Sequence, residues 1–361
     1  TQLPEVEGAL VAMNPDDGAI KALVGGFDFN KSKFNHVTQA WRQPGSSFKP
    51  FIYSSALEKG FTPATIINDA PLFFDASVTG GQPWEPKNYE NTFEGPISLR
   101  RALAKSINTV AIRVLQAVGP QYAQDWITRF GFDADKHPAY LTMALGAGSV
   151  TPLQMATAYS VFANSGYRVN PYLVTKVTDH RGKALAEAVP PVADRSARVI
   201  PARNAFVMQS LLQEVTRSGT GASAQRILKR PDIYGKTGTT NDSLDGWFAG
   251  YQPTLTAIAW MGFDTPRSLG DRETGGGVAL PIWINFMQSA LKGVPVAETP
   301  VPEGVVNVAG EWYYDEYAKG AGVSSVGLPN QPAQNPAGTP PTPASPPAPS
   351  ERQRILDMFK S

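Results

Sequence analysis

The stretch DIYGKTGTTNDSLDGWFAGYQPTLTAIAWMGFD, residues 232–264, holds three short runs rich in β-branched and aromatic residues. Asn, Asp, Gly and Pro separate them, which is the pattern of an antiparallel meander. A second sheet signal lies at the other end of the chain. There EGALVAMN (7–14) and AIKALVGGF (19–27) flank PDDG and read as a β-hairpin. Between the two, helical stretches dominate from Phe51 to Leu291. They include ISLRRALAK, TVAIRVLQAVG, PLQMATAYSVFANSG and NAFVMQSLLQEVTRSG, each closed by glycine or broken by a turn, and PIWINFMQSALKG follows the meander as a last helix. Strands at both ends with helices between imply an α+β fold, in which sequence-distant strands complete one antiparallel central sheet and helices cover it. Residues 1–295 are then expected to form one domain.

The bulk composition narrows the function. With 361 residues, 42% hydrophobic and 17% charged, the chain can bury a substantial core. Its 32 basic and 31 acidic residues nearly cancel, so nothing in the charge balance points to a nucleic acid or polyanion. The absence of cysteine excludes disulfides, thiol catalysis and cysteine metal sites. His36, His137 and His180 are scattered, without ligand spacing, so a metal hydrolase and a Ser-His-Asp triad are poorly supported. Thr1 stands where a starting Met would, and no apolar run is long enough to cross a bilayer. The expectation is a fragment whose targeting segment or anchor would lie upstream.

Beyond Lys292 the composition changes, and from Pro329 to Pro349 proline alternates with Ala, Thr, Ser, Asn and Gln. Such a segment favours extended polyproline II, so residues 296–361 are expected to be a largely extended tail. In the closing ERQRILDMFKS, Ile355, Leu356, Met358 and Phe359 share one side of a short helix. A frayed terminus is the preferred reading over a partner-docking helix.

The chemistry is carried by three short motifs. In RQPGSSFKPF (42–51), Pro50 lacks the N–H of an interior helical residue, so it belongs in the first turn and the helix starts near Ser46. Residues three apart share a helix face, which brings the Ser46 hydroxyl to the Lys49 amine, a nucleophile beside a base. On its own the pair fits an N-cap serine and a solvated lysine equally well. In AKSINTV (104–110), Ser106 and Asn108 sit in a turn between two helical runs and can project together. In YGKTGTT (234–240), Lys236 and Thr237 alternate across a strand, and Gly238 removes a side chain that would block a ligand. A fourth stretch, ETGGGVAL from Glu273, lacks the Lys-Ser/Thr of a phosphate loop and reads as a turn into the last helix.

SxxK, SxN and KTG in that order is the combination of serine β-lactamases and penicillin-binding proteins. The chain resembles the transpeptidase domain of class A, bifunctional penicillin-binding proteins of the 1a type. The resemblance covers most of residues 1–295, through RQPGSSFKPF, GPISLRRALAKSINTVAIRV, ALGAGSVTPLQMATAYSVFANSG and GKTGTTNDSLDGWFAGY. It implies a β-lactamase/D,D-peptidase-like fold, with helices on both sheet faces and an all-helical subdomain. It implies no cofactor.

The resemblance also assigns roles. Ser46 would be acylated by a peptide ending in D-Ala-D-Ala, with Lys49 as proton acceptor. Ser106 would relay a proton, Asn108 would bind the peptide amide, and Lys236, Thr237 and Thr239 would hold the terminal carboxylate beside Gly238. The implied partners are peptidoglycan stem peptides, donor and acceptor, together with β-lactams and regulatory proteins. The implied setting is the bacterial periplasm, with an inner-membrane anchor outside this chain. A β-lactamase is disfavoured because Glu187 and Glu214, the glutamates between Asn108 and Lys236, do not begin the ExxLN motif, and Ile107 stands where those enzymes have Asp. A β-lactam-sensing receptor would carry the same motifs.

Overall fold

A computed structural model of the chain describes residues 3–79, 82–189 and 198–328. In it the two ends of the sequence meet in one sheet. Val6–Met13 lies against Leu255–Phe263 in antiparallel register, with Val11 opposite Ile258. Ile20–Val24 pairs with its other edge, turned by PDDG as the hairpin pattern predicts. On the far side Asp245–Gln252 and then Tyr234–Thr239 complete five antiparallel strands. The meander and the α+β class are therefore observed.

Strand periodicity sorts side chains to two cores. Along Leu255–Phe263, Ala257 and Ala259 join Trp283, Leu280 and Met287 of the last helix, Gly275–Ala290. Ile258 and Trp260 point the other way, toward a larger core that contains Lys49–Leu57, Asn108–Val118, Pro152–Ala163 and Ala202–Arg217. Every residue of Lys49–Leu57 is buried. A helix buried on every side is central to the fold, and this one is ringed by Asn108–Val118, Pro120–Ile127 and Ala202–Arg217. Helices thus cover both faces of the sheet.

The packed chain does not end near residue 295. Val305–Val308 and Glu311–Tyr314 form a hairpin, and Ser325–Val326 pairs in parallel with Ile66–Asp69, which itself pairs with Gly95–Ser98. Side chains fasten this return: Arg100 forms a forked ion pair with Glu311 at 2.5 and 2.7 Å, and the Tyr314 hydroxyl donates to Glu58 at 2.7 Å. The expectation of an extended tail from 296 is corrected over these residues, where short β-branched and aromatic runs outweigh the neighbouring prolines. The proline-rich stretch and the closing ERQRILDMFKS lie outside the described residues.

Candidate active site

The serine motif begins in a 3₁₀ turn, Gly45–Phe48, that runs into the helix Lys49–Leu57 with Pro50 in its first turn. The turn is held on all sides. Trp247 Nε1 donates to Gln43 O at 2.8 Å, the Tyr159 hydroxyl donates to Ser47 O at 2.7 Å, and Arg42 exchanges two backbone hydrogen bonds with Val150. Gly45 has φ +55°, and a Cβ there would stand 2.4 Å from Thr239 O. The turn is therefore pressed against the end of the KTG strand, and only glycine permits both the conformation and the approach. The adjacent serines separate cleanly. Ser47 is buried with its hydroxyl donating to Pro44 O at 2.7 Å, whereas Ser46 lines a cleft of about 730 Å³.

Ser106 closes the helix Leu99–Lys105 in the left-handed conformation, φ 60° and ψ 37°, and Asn108 opens the next helix. This break turns Ser106, Asn108 and Lys49 toward one point. Lys49 Nζ donates to Ser106 O and Asn108 Oδ1, both at 2.7 Å, and lies 3.3 Å from Ser106 Oγ. Its amine is thus hydrogen-bonded to the SxN turn. Lys236 Nζ reaches the same Ser106 Oγ at 2.8 Å and Thr237 O at 3.1 Å. One hydroxyl therefore bridges two lysines that are both fully buried.

Burial disfavours the charged form of each amine. It brings Lys236 down to about 7. Lys49 is lowered well below the usual lysine range, first by burial and then by the charge of Lys236. Among the described residues, no group of three or more His, Asp or Glu is placed to hold a metal ion. His137 lies under the site, stacked on Phe48 at 4.7 Å, and burial lowers it to about 4, so it is neutral near pH 7.

The cleft is lined by Ser46, Ser106, Asn108, Thr237 and Thr239 among the residues singled out in the sequence. Lys49 and Lys236 lie beneath it. Gly238 faces away from the cleft: a Cβ there would stand 2.4 Å from Pro44 O and 2.9 Å from Ser47 Oγ. Its small size serves the packing of strand on serine turn, not ligand access. Trp84 and Tyr89 line the cleft, while Trp247 and Phe248 are core residues.

Two further residues that shape the site, Thr220 in the cleft lining and the buried Asn88 behind it, carry little signal in the sequence. Thr220 Oγ1 lies 2.6 Å from Thr237 Oγ1. Asn88 Oδ1 accepts from the N–H groups of Asn108 and Thr109 at 3.0 and 3.2 Å, capping a helix whose own N-cap, Ile107, has no side-chain acceptor. A hydroxyl between glycines in SGTGA is a weak signal for the first; NYEN carries none for the second.

An antiparallel sheet between helical layers, with a cleft serine at a helix start and a lysine on the adjoining strand, is the β-lactamase/D,D-peptidase fold in its active-site-serine form. The comparisons narrow this class. Residues 8–288 match the penicillin binding protein transpeptidase domain, and the chain belongs to that family. It is 49% identical over 319 residues to penicillin-binding protein 1A of Neisseria lactamica, covering 88% of this chain and 40% of that protein. It is 45% identical to penicillin-binding protein 1A of Pseudomonas aeruginosa, over 85% of this chain and 43% of that one. Among solved structures, penicillin-binding protein 1A of Haemophilus influenzae superposes with a TM-score of 0.82 at 36% identity, covering 87% of this chain and 54% of that one. The PonA1 protein of Mycobacterium tuberculosis in complex with penicillin V gives a TM-score of 0.70 at 27% identity, over 92% of this chain and 85% of that one. The chain thus spans 40% of the length of the curated relative from Neisseria lactamica.

Proposed function

We propose that the chain is a serine D,D-transpeptidase acting on peptidoglycan stem peptides through an acyl-enzyme on Ser46. The observation that carries this reading is the Ser106 hydroxyl held between the Lys49 and Lys236 amines at 3.3 and 2.8 Å, at the floor of a cleft that exposes Ser46. Burial and the charge of Lys236 lower the Lys49 amine well below the usual lysine range, which suits it to take the Ser46 proton as the serine oxygen attacks the penultimate D-Ala carbonyl. The oxygen of the tetrahedral intermediate gains charge, and the N–H groups of Ser46 and Thr239 receive it. Losing one such donor typically costs roughly a hundredfold or more in rate.

Collapse breaks the peptide bond. The departing D-Ala nitrogen takes a proton relayed from Lys49 through the Ser106 hydroxyl, and the peptide stays esterified to Ser46. An amine of a neighbouring stem peptide then attacks the ester, forming the cross-link and freeing Ser46. Water in its place gives carboxypeptidase action. Asn108, whose Oδ1 anchors Lys49 and whose Nδ2 donates to Lys87 O at 2.8 Å, would orient the peptide amide. No cofactor enters any step. A β-lactam would acylate Ser46 in the same way, with its leaving group still attached.

Glu187 lies on an exposed hairpin, and Glu214 is bonded to Arg217 and Ser218. Neither lines the cleft, so neither of these glutamates is placed to activate a deacylating water there. Acting on that substrate, the domain would work in the bacterial periplasm. Membrane anchorage and glycosyl transfer would belong to the longer protein, and among the described residues no helix is long and apolar enough to cross a membrane. Intact-mass measurement after incubation with penicillin G tests the reading. One adduct on the wild type, lost in Ser46→Ala and retained in Ser47→Ala, is expected; an adduct that survives Ser46→Ala would sink it.

A further inference from the structure

The turn after the helix Ala202–Arg217 is built onto the SxN side of the cleft. Thr220 N–H donates to Ala104 O at 3.0 Å, two residues before Ser106, and a Cβ at Gly219 would stand 2.2 Å from that same oxygen. Fixed in this way, Thr220 projects an exposed side chain into the cleft, with its hydroxyl 2.6 Å from that of Thr237.

Each threonine hydroxyl has one hydrogen, and the bond between the two uses one, so one remains for a ligand. Thr239 adds another: its oxygen accepts from Gly275 N–H at 3.0 Å, which leaves its own proton free. Lys236 is fully buried and outside the cleft lining, with its ammonium against Ser106 Oγ and Thr237 O. An anion in the cleft therefore meets hydroxyl donors, with the cation behind them. Chained hydroxyls polarise one another, and bonds to a carboxylate are the stronger kind.

We propose that Thr220 is a third hydroxyl of the carboxylate subsite and helps select ligands that carry a free α-carboxylate. This rests on the acyl-enzyme reading above. In a ligand complex Thr220 either donates to Thr237, so that Thr237 Oγ1–H points at the carboxylate, or binds the carboxylate itself.

The test compares second-order acylation by penicillin G and by its methyl ester, followed by intact mass, in the wild type, Thr220→Val and Thr220→Ser. Thr220→Val keeps the shape and removes the hydroxyl. It should slow acylation by the free acid roughly tenfold and leave the slower ester reaction unchanged, because only the acid gains from a charge-assisted bond. Thr220→Ser should restore the acid rate. Equal slowing of acid and ester, or no slowing of either, overturns the role of Thr220 while leaving Ser46 acylation standing. A wild type that takes no adduct, or an adduct retained in Ser46→Ala, overturns the acyl-enzyme reading and this proposal with it.

Discussion

Ser106 Oγ lies 2.8 Å from Lys236 Nζ, joining a helix end to a strand 130 residues away. The contact depends on Ser106 adopting the left-handed conformation, which non-glycine residues enter at a cost of roughly 1–3 kcal/mol. The hydroxyl also meets Lys49, so the three groups form one polar unit at the floor of the cleft.

A first prediction concerns pH. A lysine is charged below its pKa, so lowering that pKa lets the neutral amine persist to lower pH. Lys49 must be neutral to accept the serine proton and, in this mechanism, Lys236 must be charged. Acylation should therefore fall as pH rises through about 7, where Lys236 discharges. The two amines titrate as a coupled pair. A bound carboxylate would hold the Lys236 proton, so the alkaline limb of kcat should lie above that of kcat/KM. Acylation rates between about pH 5 and 10 check this, and a profile flat across the neutral range would refute it.

Asn88 gives a second prediction. Its Nδ2 donates to Asp69 Oδ1 at 2.8 Å and to Thr92 O at 2.9 Å, which fixes the amide so that Oδ1 faces the helix start at Asn108. Asp69 also accepts from Thr109 Oγ1 and Glu94 N, so removing Asn88 leaves both a buried carboxylate and two helix N–H groups short of a partner. Losing buried partners of this kind costs about 1–3 kcal/mol. Asn88→Ala should lower the melting temperature by several degrees and slow acylation through Asn108, which holds Lys49. Asn88→Asp should be worse, since a second carboxylate would face Asp69. Thermal melts together with penicillin labelling measure both, and an Asn88→Asp variant as stable as the wild type would contradict the assignment.

The sequence made some of this legible and hid the rest for physical reasons. The sheet was readable because strand propensity and turn chemistry agree locally: PDDG for the hairpin, and Asn, Asp and Pro between the runs of the meander. Ser46, Lys49, Ser106, Asn108 and Lys236 were readable because their spacings are short and their order is particular. The geometry joining them was not. Lys49 turns to Ser106 and Asn108 only because Ser106 is left-handed, and serine gives no sign of that conformation. Gly238 shows the converse, a readable residue with a misread reason, since its neighbours Pro44 and Ser47 come from a turn nearly 200 positions away. Asn88 acts on Asn108 and Thr109, and Thr220 on Ala104 and Thr237, none of which lie in their own short stretches of sequence.

The segment that returns after the last helix supplies a third prediction. Val305 and Tyr314 are buried against the main core, Arg203 stacks its guanidinium 4.1 Å from the Tyr314 ring, and Val323 O accepts from Thr65 Oγ1 at 2.7 Å. A chain ending at residue 295 would expose this apolar surface and leave the half-buried Arg100 without Glu311. Fully burying one large apolar side chain contributes roughly 1.5–3 kcal/mol, so losing two such residues and a forked ion pair should lower stability by several kcal/mol. Ser46 and the lysine pair lie on other elements, so the shortened chain should still take a penicillin adduct at low temperature. Its thermal unfolding midpoint should fall by about 5 °C or more relative to the full chain. Equal midpoints for the two chains would mean that residues 305–326 rest on the domain without supporting it.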